Sequence, residues 1–256
     1  MNNYEKLEGM VAATFTPLDE NGDVNLSVID KYADWIASTP IKGVFVCGTT
    51  GEFSSLTIDE RKLILEKWLV SARKRFKVIA HVGSNCQRSA MELARHAAQV
   101  GADAIASIAP SFFKPGTVDE LVDFFAPICH SAAGLPFYYY NMPSITGVNL
   151  PVDKFLVEGK KKIPNLVGTK FTHNNLMEMG VCIELEQHRF EVLHGYDEIL
   201  ISGLAMGAVA GVGSTYNYIP NVYQAIFDSM KMNDLETARH NQIKSIRTVE
   251  GIIKYG

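Results

Sequence analysis

Gly43-Val44-Phe45-Val46-Cys47-Gly48-Thr49-Thr50-Gly51-Glu52 passes from a short apolar run into a glycine-rich turn, and Thr57-Ile58-Asp59-Glu60 follows shortly after. The first five residues read as a strand buried on both faces, because the run is short, continuous in apolar residues and closed by a turn signal. Thr57 and Glu60 are spaced as a capping box, in which the hydroxyl accepts from the N3 amide and the N3 carboxylate reaches back. A helix therefore opens there and runs to about Arg75. Strand, turn and helix form one unit of a parallel sheet, and the same unit recurs on either side of it.

Upstream, Met10 to Phe15 reads as a strand and Leu26 to Ala37 as an amphipathic helix. Downstream, strands are predicted at Val78 to His81, Ala104 to Ile108, Phe137 to Tyr140, Leu166 to Lys170, Phe190 to Leu193 and Val209 to Val212. Between them lie helices at Ser89 to Val100, from Thr117 to near Ala133-Gly134, Pro151 to Glu158, Asn175 to Gln187 and Glu198 to Met206, with Asn221 to Met230 after the last strand. A doubly wound open sheet uses the same alternation. Eight units without a break in composition favour closure, so the prediction is a (β/α)8 TIM barrel. The barrel is expected to occupy residues 1–230 as one domain, and 231–256 to begin a truncated C-terminal helical extension. Asn233-Asp234-Leu235-Glu236 caps that helix, and Ile243, Ile246, Val249, Ile252 and Ile253 form an apolar stripe. The stripe requires a partner: the barrel, another subunit or residues beyond this sequence.

Bulk properties exclude several classes of function. A net charge of −4 with no concentrated basic face gives no nucleic-acid footprint. The densest basic runs, Arg73-Lys74-Arg75 and Lys160-Lys161-Lys162, close helices, where cations complement the dipole. Cys47, Cys86, Cys129 and Cys182 form no CxxC pair, and the histidines show no HExxH, so no metal site is expected. The first residues lack an apolar signal core, and Ile199 to Val212 is too short and glycine-broken to span a bilayer, so a cytoplasmic protein is expected.

In a closed parallel barrel the active site lies at the carboxyl ends of the strands. Lys170 ends a buried strand there; burial disfavours a charged amine and frees it to attack a carbonyl, although such a lysine also reads as snorkelling or salt-bridged. Tyr140 ends the preceding strand and offers a hydroxyl relay. Gly48-Thr49-Thr50-Gly51-Glu52 reads as an ordinary βα turn or as a carboxylate cradle. Asp197 and Glu198 read as helix-capping acids or as acceptors for a polyol. Gly211-Val212-Gly213-Ser214-Thr215 lacks dinucleotide spacing, so no nicotinamide cofactor is expected, nor any other. His81 reads as a hydrogen-bonded core histidine, and Phe112-Phe113 and Phe124-Phe125 as packing.

Taken in order, these motifs resemble the pyruvate-dependent class I aldolase family that includes dihydrodipicolinate synthases and sialic-acid lyases. The resemblance runs from Gly9-Met10-Val11-Ala12-Ala13-Thr14-Phe15-Thr16-Pro17 to about Tyr218. Gly48-Thr49-Thr50-Gly51-Glu52 resembles the family's carboxylate-binding turn, Tyr140-Asn141-Met142-Pro143 its catalytic tyrosine motif, and Gly168-Thr169-Lys170 its Schiff-base lysine. Ile145 stands where the lysine-pathway synthases usually carry an arginine, and Ser111-Phe112-Phe113-Lys114-Pro115 lacks the tyrosine they lend to a neighbouring subunit. His194-Gly195-Tyr196-Asp197-Glu198, Gly213-Ser214-Thr215-Tyr216-Asn217 and Thr172 are similar to the sialic-acid-cleaving branch. The resemblance implies cleavage of open-chain N-acetylneuraminate to pyruvate and N-acetylmannosamine. Lys170 and Tyr140 are then catalytic, Thr49 and Thr50 hold the carboxylate, and Thr172, Gly195, Asp197, Glu198 and Ser214 bind the hydroxylated tail. It also implies a homotetramer. The alternatives are another pyruvate-dependent aldolase, acting on a deoxy sugar acid or resembling dihydrodipicolinate synthase, and a non-catalytic sugar-acid sensor.

Overall fold

Short, apolar parallel strands hide their backbone groups only if every edge is paired, and closure into a barrel meets that need. The computed structural model describes residues 4–255. Its strands β1 (Gly9–Ala13), β2 (Gly43–Val46), β3 (Lys77–His81), β4 (Ala104–Ile108), β5 (Phe137–Asn141), β6 (Leu166–Phe171), β7 (Glu191–His194) and β8 (Ala210–Gly213) form a closed barrel in sequence order. All neighbours are parallel, and β8 returns to pair with β1. Around them lie α1 (Ile29–Ala37), α2 (Ile58–Ala72), α3 (Gln87–Val100), α4 (Val118–His130), α5 (Pro143–Thr146), α6 (Val152–Lys162), α7 (Leu176–Glu184), α8 (Leu200–Ala205), α9 (Pro220–Lys231) and α10 (Leu235–Ile253). No helix is long and apolar enough to cross a membrane among the described residues.

Local chemistry explains the helix ends. The capping box of Thr57 with Glu60 forms, and Thr117 and Glu120, at the same spacing, form a second one. The helix beginning at Thr57 stops at Ala72 rather than Arg75, because Arg73 and Lys74 adopt left-handed backbone at φ 49° and 59°. The helix expected to end at Glu158 continues to Lys162, and its last turn carries Lys160, Lys161 and Lys162 against the negative end of the dipole. The four-residue α5 was not expected; Pro143 starts it and Gly147, at φ 65°, ends it.

The strands bury two faces. Val44, Val46, Ile105, Phe137 and Tyr139 pack outward against the helices, whereas Val11, Phe45, Ile79, Ala106, Tyr138, Tyr140 and Val212 fill the barrel. A register shift interrupts β5–β6 pairing: Phe137 faces Leu166, but Tyr138 faces Gly168 and Tyr140 faces Lys170. The extra residue, Val167, reverses the alternation of β6. Leu166 packs outward, while Lys170, four residues on, joins the inward row beside Tyr140.

The amino-terminal end of the barrel is closed by a polar plug. The Leu7 amide and the Tyr138 hydroxyl donate to Glu191 Oε2 at 2.9 and 3.0 Å, and the Tyr4 hydroxyl bonds that of Tyr138. At the far end of the chain, α10 packs on α9, on α8 and on the turn before α8. The face it buries is Ala238, Asn241, Gln242 and Ser245. The predicted apolar stripe looks outward at Ile243, Ile252 and Ile253, which are 48%, 38% and 69% exposed. Of the three partners considered for those residues, the barrel is therefore not the one.

One reading of the aromatics needs correction. Phe124 and Phe125 pack as expected, Phe125 fully buried against Phe137, Tyr139 and Phe155. Phe112 and Phe113 are instead 77% and 86% exposed, on the loop that leaves β4. That loop extends beyond the strand ends, where neither the barrel interior nor the helix layer can cover a side chain.

Candidate active site

Lys170 lies inside the barrel near the carboxyl ends, 4% exposed. Its Nζ is 4.1 Å from the ring centroid of Tyr140 and 4.4 Å from that of Phe45. Both rings thus lie within cation–π distance of that nitrogen. The Tyr140 hydroxyl lies 3.2 Å from Thr49 Oγ1 and donates to Met142 Sδ at 3.0 Å. Residues from β2, β5 and β6 thus form one cluster.

The turn after β2 is held tightly. Cys47 and Glu52 take left-handed backbone at φ 54° and 55°. Within the turn the Glu52 amide donates to Thr49 O at 3.0 Å, and from β1's exit the Thr16 hydroxyl donates to Gly51 O at 2.7 Å. Thr49 and Thr50 are thereby left half-buried at the mouth. Beneath the turn His81 is buried, its Nδ1 2.8 Å from Cys47 O. Burial and the Arg61 charge hold its pKa well below the usual histidine range, so the ring is neutral and Nδ1–H donates to the carbonyl. The expectation of a hydrogen-bonded core histidine is met. Arg61 of α2 donates to His81 O and Gly83 O at 2.7 and 2.9 Å, locking that helix to the exit of β3.

A second cluster joins the exits of β6, β7 and β8. Thr172 is buried, and its hydroxyl finds no partner among the described residues. Gly195 packs against it so closely that an added Cβ would collide with that hydroxyl. Asp197 is 5% exposed; its Oδ2 accepts from the Thr215 amide and hydroxyl at 2.7 and 2.6 Å, while Oδ1 has no partner among the described residues. Burial pushes the Asp197 carboxyl up to about 6, against the opposing pull of the Thr215 bonds and the Lys170 charge. Gly213 leaves room for that carboxylate, since a Cβ there would overlap it. Glu198 and Ser214 are half-buried nearby. Thr50, Glu198 and Ser214 share no hydrogen bond with Lys170 or Tyr140 among the described residues.

Several supporting residues escaped the sequence reading. Phe45 was legible in principle, because strand alternation places it inward between Val44 and Val46. Met142, Thr215 and Asn217 stood inside motifs quoted above, but nothing in the sequence assigned them a role. Asn217 donates to Ala13 O and Ser214 O, both at 2.7 Å, and accepts from Tyr32 OH at 2.6 Å, closing the seam between β8 and β1. A groove of about 1110 Å³ lies at the opposite end among Lys6, Lys42, Lys77 and Asp103. Neither Lys170, Tyr140 and Thr49 nor Thr172, Asp197 and Ser214 line it, and it contains mainly solvated charges.

Comparison with known proteins agrees with this architecture. The dihydrodipicolinate synthetase family matches residues 6–255. N-acetylneuraminate lyase of Mus musculus is 42% identical over 255 residues, covering 98% of this chain and 80% of that protein. The Gallus gallus N-acetylneuraminate lyase is 43% identical over 259 residues, covering 100% and 84%. Among solved structures, Proteus mirabilis N-acetylneuraminate lyase superposes with a TM-score of 0.96 at 35% identity, covering 98% of this chain and 85% of that one. A barrel of this topology, with a lysine turned inward on β6 and a match over nearly the whole chain, belongs to the dihydrodipicolinate synthetase family.

Proposed function

We propose that the protein is an N-acetylneuraminate lyase, a Schiff-base aldolase that cleaves the open-chain sugar acid to pyruvate and N-acetylmannosamine. The observation that carries this reading is Lys170, buried in the barrel between two aromatic rings. Relatives of that name at 42% and 43% identity support the choice of substrate.

The deprotonated Lys170 amine attacks the C2 keto carbon, and loss of water leaves an iminium. That cation sits against the Tyr140 and Phe45 rings, whose faces stabilise it. Loss of the C4 hydroxyl proton then drives cleavage of the C3–C4 bond, whose electron pair enters the iminium to give an enamine. A neutral phenol is a poor base by itself, so Tyr140 acts as a relay between the C4 hydroxyl and the substrate carboxylate. Proton return to C3 and hydrolysis release pyruvate and restore the lysine. Thr49 and Thr50 hold the carboxylate and aim the keto carbon at Lys170. Thr172, Gly195, Asp197, Glu198 and Ser214 receive the hydroxylated tail. No cofactor enters the scheme. The reading includes a cytoplasmic homo-oligomer, a tetramer by family resemblance.

The test is mass spectrometry after incubation with N-acetylneuraminate and borohydride. A reduced pyruvate adduct on Lys170 is expected, with turnover in Lys170→Ala lowered by roughly 10⁴-fold or more. An intact sugar-acid adduct would favour the sensor reading. No adduct on folded protein, with adducts from other keto acids, would favour a different aldolase.

A further inference from the structure

Most of α10 is solvated, yet Gln242 is only 4% exposed. A buried amide is costly unless its donors and acceptor are all matched. Here they are. Gln242 Oε1 accepts from the Ile201 amide at 2.8 Å, and Nε2 donates to the Asp197 backbone carbonyl at 3.0 Å and to Ser245 Oγ at 2.6 Å. One side chain therefore ties together the two ends of a five-residue stretch: Asp197, which opens the turn, and Ile201, whose amide is one of the orphan donors in the first turn of α8.

The carboxylate of the same residue is gripped from a second helix. Thr215 has a single hydroxyl proton, and it is directed to Asp197 Oδ2 at 2.6 Å. The hydrogen bond between Thr215 Oγ1 and the Tyr223 hydroxyl must then run from tyrosine to threonine. Tyr223 lies on α9 and is fully buried. Asp197 is thus held by its main chain from α10 and, through Thr215, by its side chain from α9. The barrel strands supply neither grip.

We infer that Gln242, with Tyr223 behind Thr215, is a positioning residue that sets the Asp197–Glu198 turn and so governs affinity for the hydroxylated half of the substrate. The inference rests on the proposed lyase reading for the identity of that substrate. It places a determinant of sugar binding on a helix outside the barrel, remote in sequence from every strand-end motif. The clamp does not touch the Lys170–Tyr140–Thr49 cluster, so the pyruvate half of the site should be indifferent to it.

Three variants test this in the full chain: Gln242→Leu, which removes all three amide bonds, Gln242→Glu, which keeps only the acceptor facing Ile201, and Tyr223→Phe. Borohydride trapping with pyruvate alone reads the lysine cluster, and steady-state cleavage of N-acetylneuraminate reads the whole site. Trapping is expected to stay within about twofold of the parent while KM rises about tenfold with little change in kcat, as for one or two lost buried hydrogen bonds. An unchanged KM in the folded variants overturns the inference. A parallel fall in trapping and cleavage overturns it as well, because it marks a purely structural role. Should Gln242→Leu fail to fold, the other two decide. A parent that traps pyruvate but does not cleave the sugar acid sinks the substrate assignment instead. The clamp is then judged by hydrogen exchange at residues 197–201, which must be at least about tenfold faster in the variants.

Discussion

Asp197 shows how much a single side chain's behaviour depends on what surrounds it. Its pKa, raised to about 6 from 3.8 chiefly by burial, puts its titration within reach of ordinary assays. Because the folded value is the higher one, the ionised form costs the folded state about 3 kcal/mol above pH 6, and that cost is relieved as pH falls toward 3.8. Sugar binding should run the other way, since only the carboxylate is purely an acceptor for substrate hydroxyls. KM for N-acetylneuraminate is therefore expected to rise as pH falls through about 6, with the inflection absent in Asp197→Asn. An unaltered profile in that variant would remove Asp197 from sugar binding. Lys170, Tyr140 and Asp197 were all legible in the sequence, because polar residues at the ends of apolar runs stand out. Thr215 and Met142 were not, since their roles lie in contacts across strands that no spacing encodes.

Among the elements, β6 matters most. Read as a regular strand, Leu166, Gly168 and Lys170 would share one face. The extra residue at Val167 separates them and turns Lys170 into the barrel. Gly168 follows that shift directly, and a Cβ there would meet the Glu191 backbone of β7. Gly168→Ala is accordingly expected to cost about 1–3 kcal/mol of stability, as overpacking does, and to reduce pyruvate trapping at Lys170 by displacing β6. Urea unfolding followed by borohydride trapping checks both. Normal trapping in a destabilised variant would separate the bulge from the placement of the amine. The helices were legible by their caps, and Thr57–Glu60 and Thr117–Glu120 formed as spaced. The docking of α10 was not. Its isoleucine stripe suggested the buried side, but Gln242 found its polar partners around the turn at Asp197, which left Ile243, Ile252 and Ile253 exposed and Ile246 and Val249 half-buried.

At the scale of the whole molecule, the barrel is plugged at one end by Tyr4, Tyr138 and Glu191, and the proposed site at the carboxyl ends, where Thr49, Thr50, Glu198 and Ser214 are half-buried, is where we propose that substrate enters. Phe112 and Phe113, on the loop leaving β4, and Ile145, in α5, stand exposed on the carboxyl-end side, and we propose that another copy of the chain covers them. Sedimentation is expected to show a species larger than the 28.3 kDa monomer, shifted toward monomer by replacing Phe112 and Phe113 with serine. A monomeric parent would contradict the proposed assembly. The sequence by itself determined the eightfold strand–helix alternation that favoured closure, the capped helix starts and the strand-end residues of the candidate site, because periodicity and capping act between near neighbours along the chain. Only the tertiary structure decided that Lys170 points inward, that Asp197 is held from α9 and α10, and that α10 buries its polar face. Each of those depends on the register between strands or on partners tens of residues away, where packing and hydrogen-bond satisfaction outweigh local pattern.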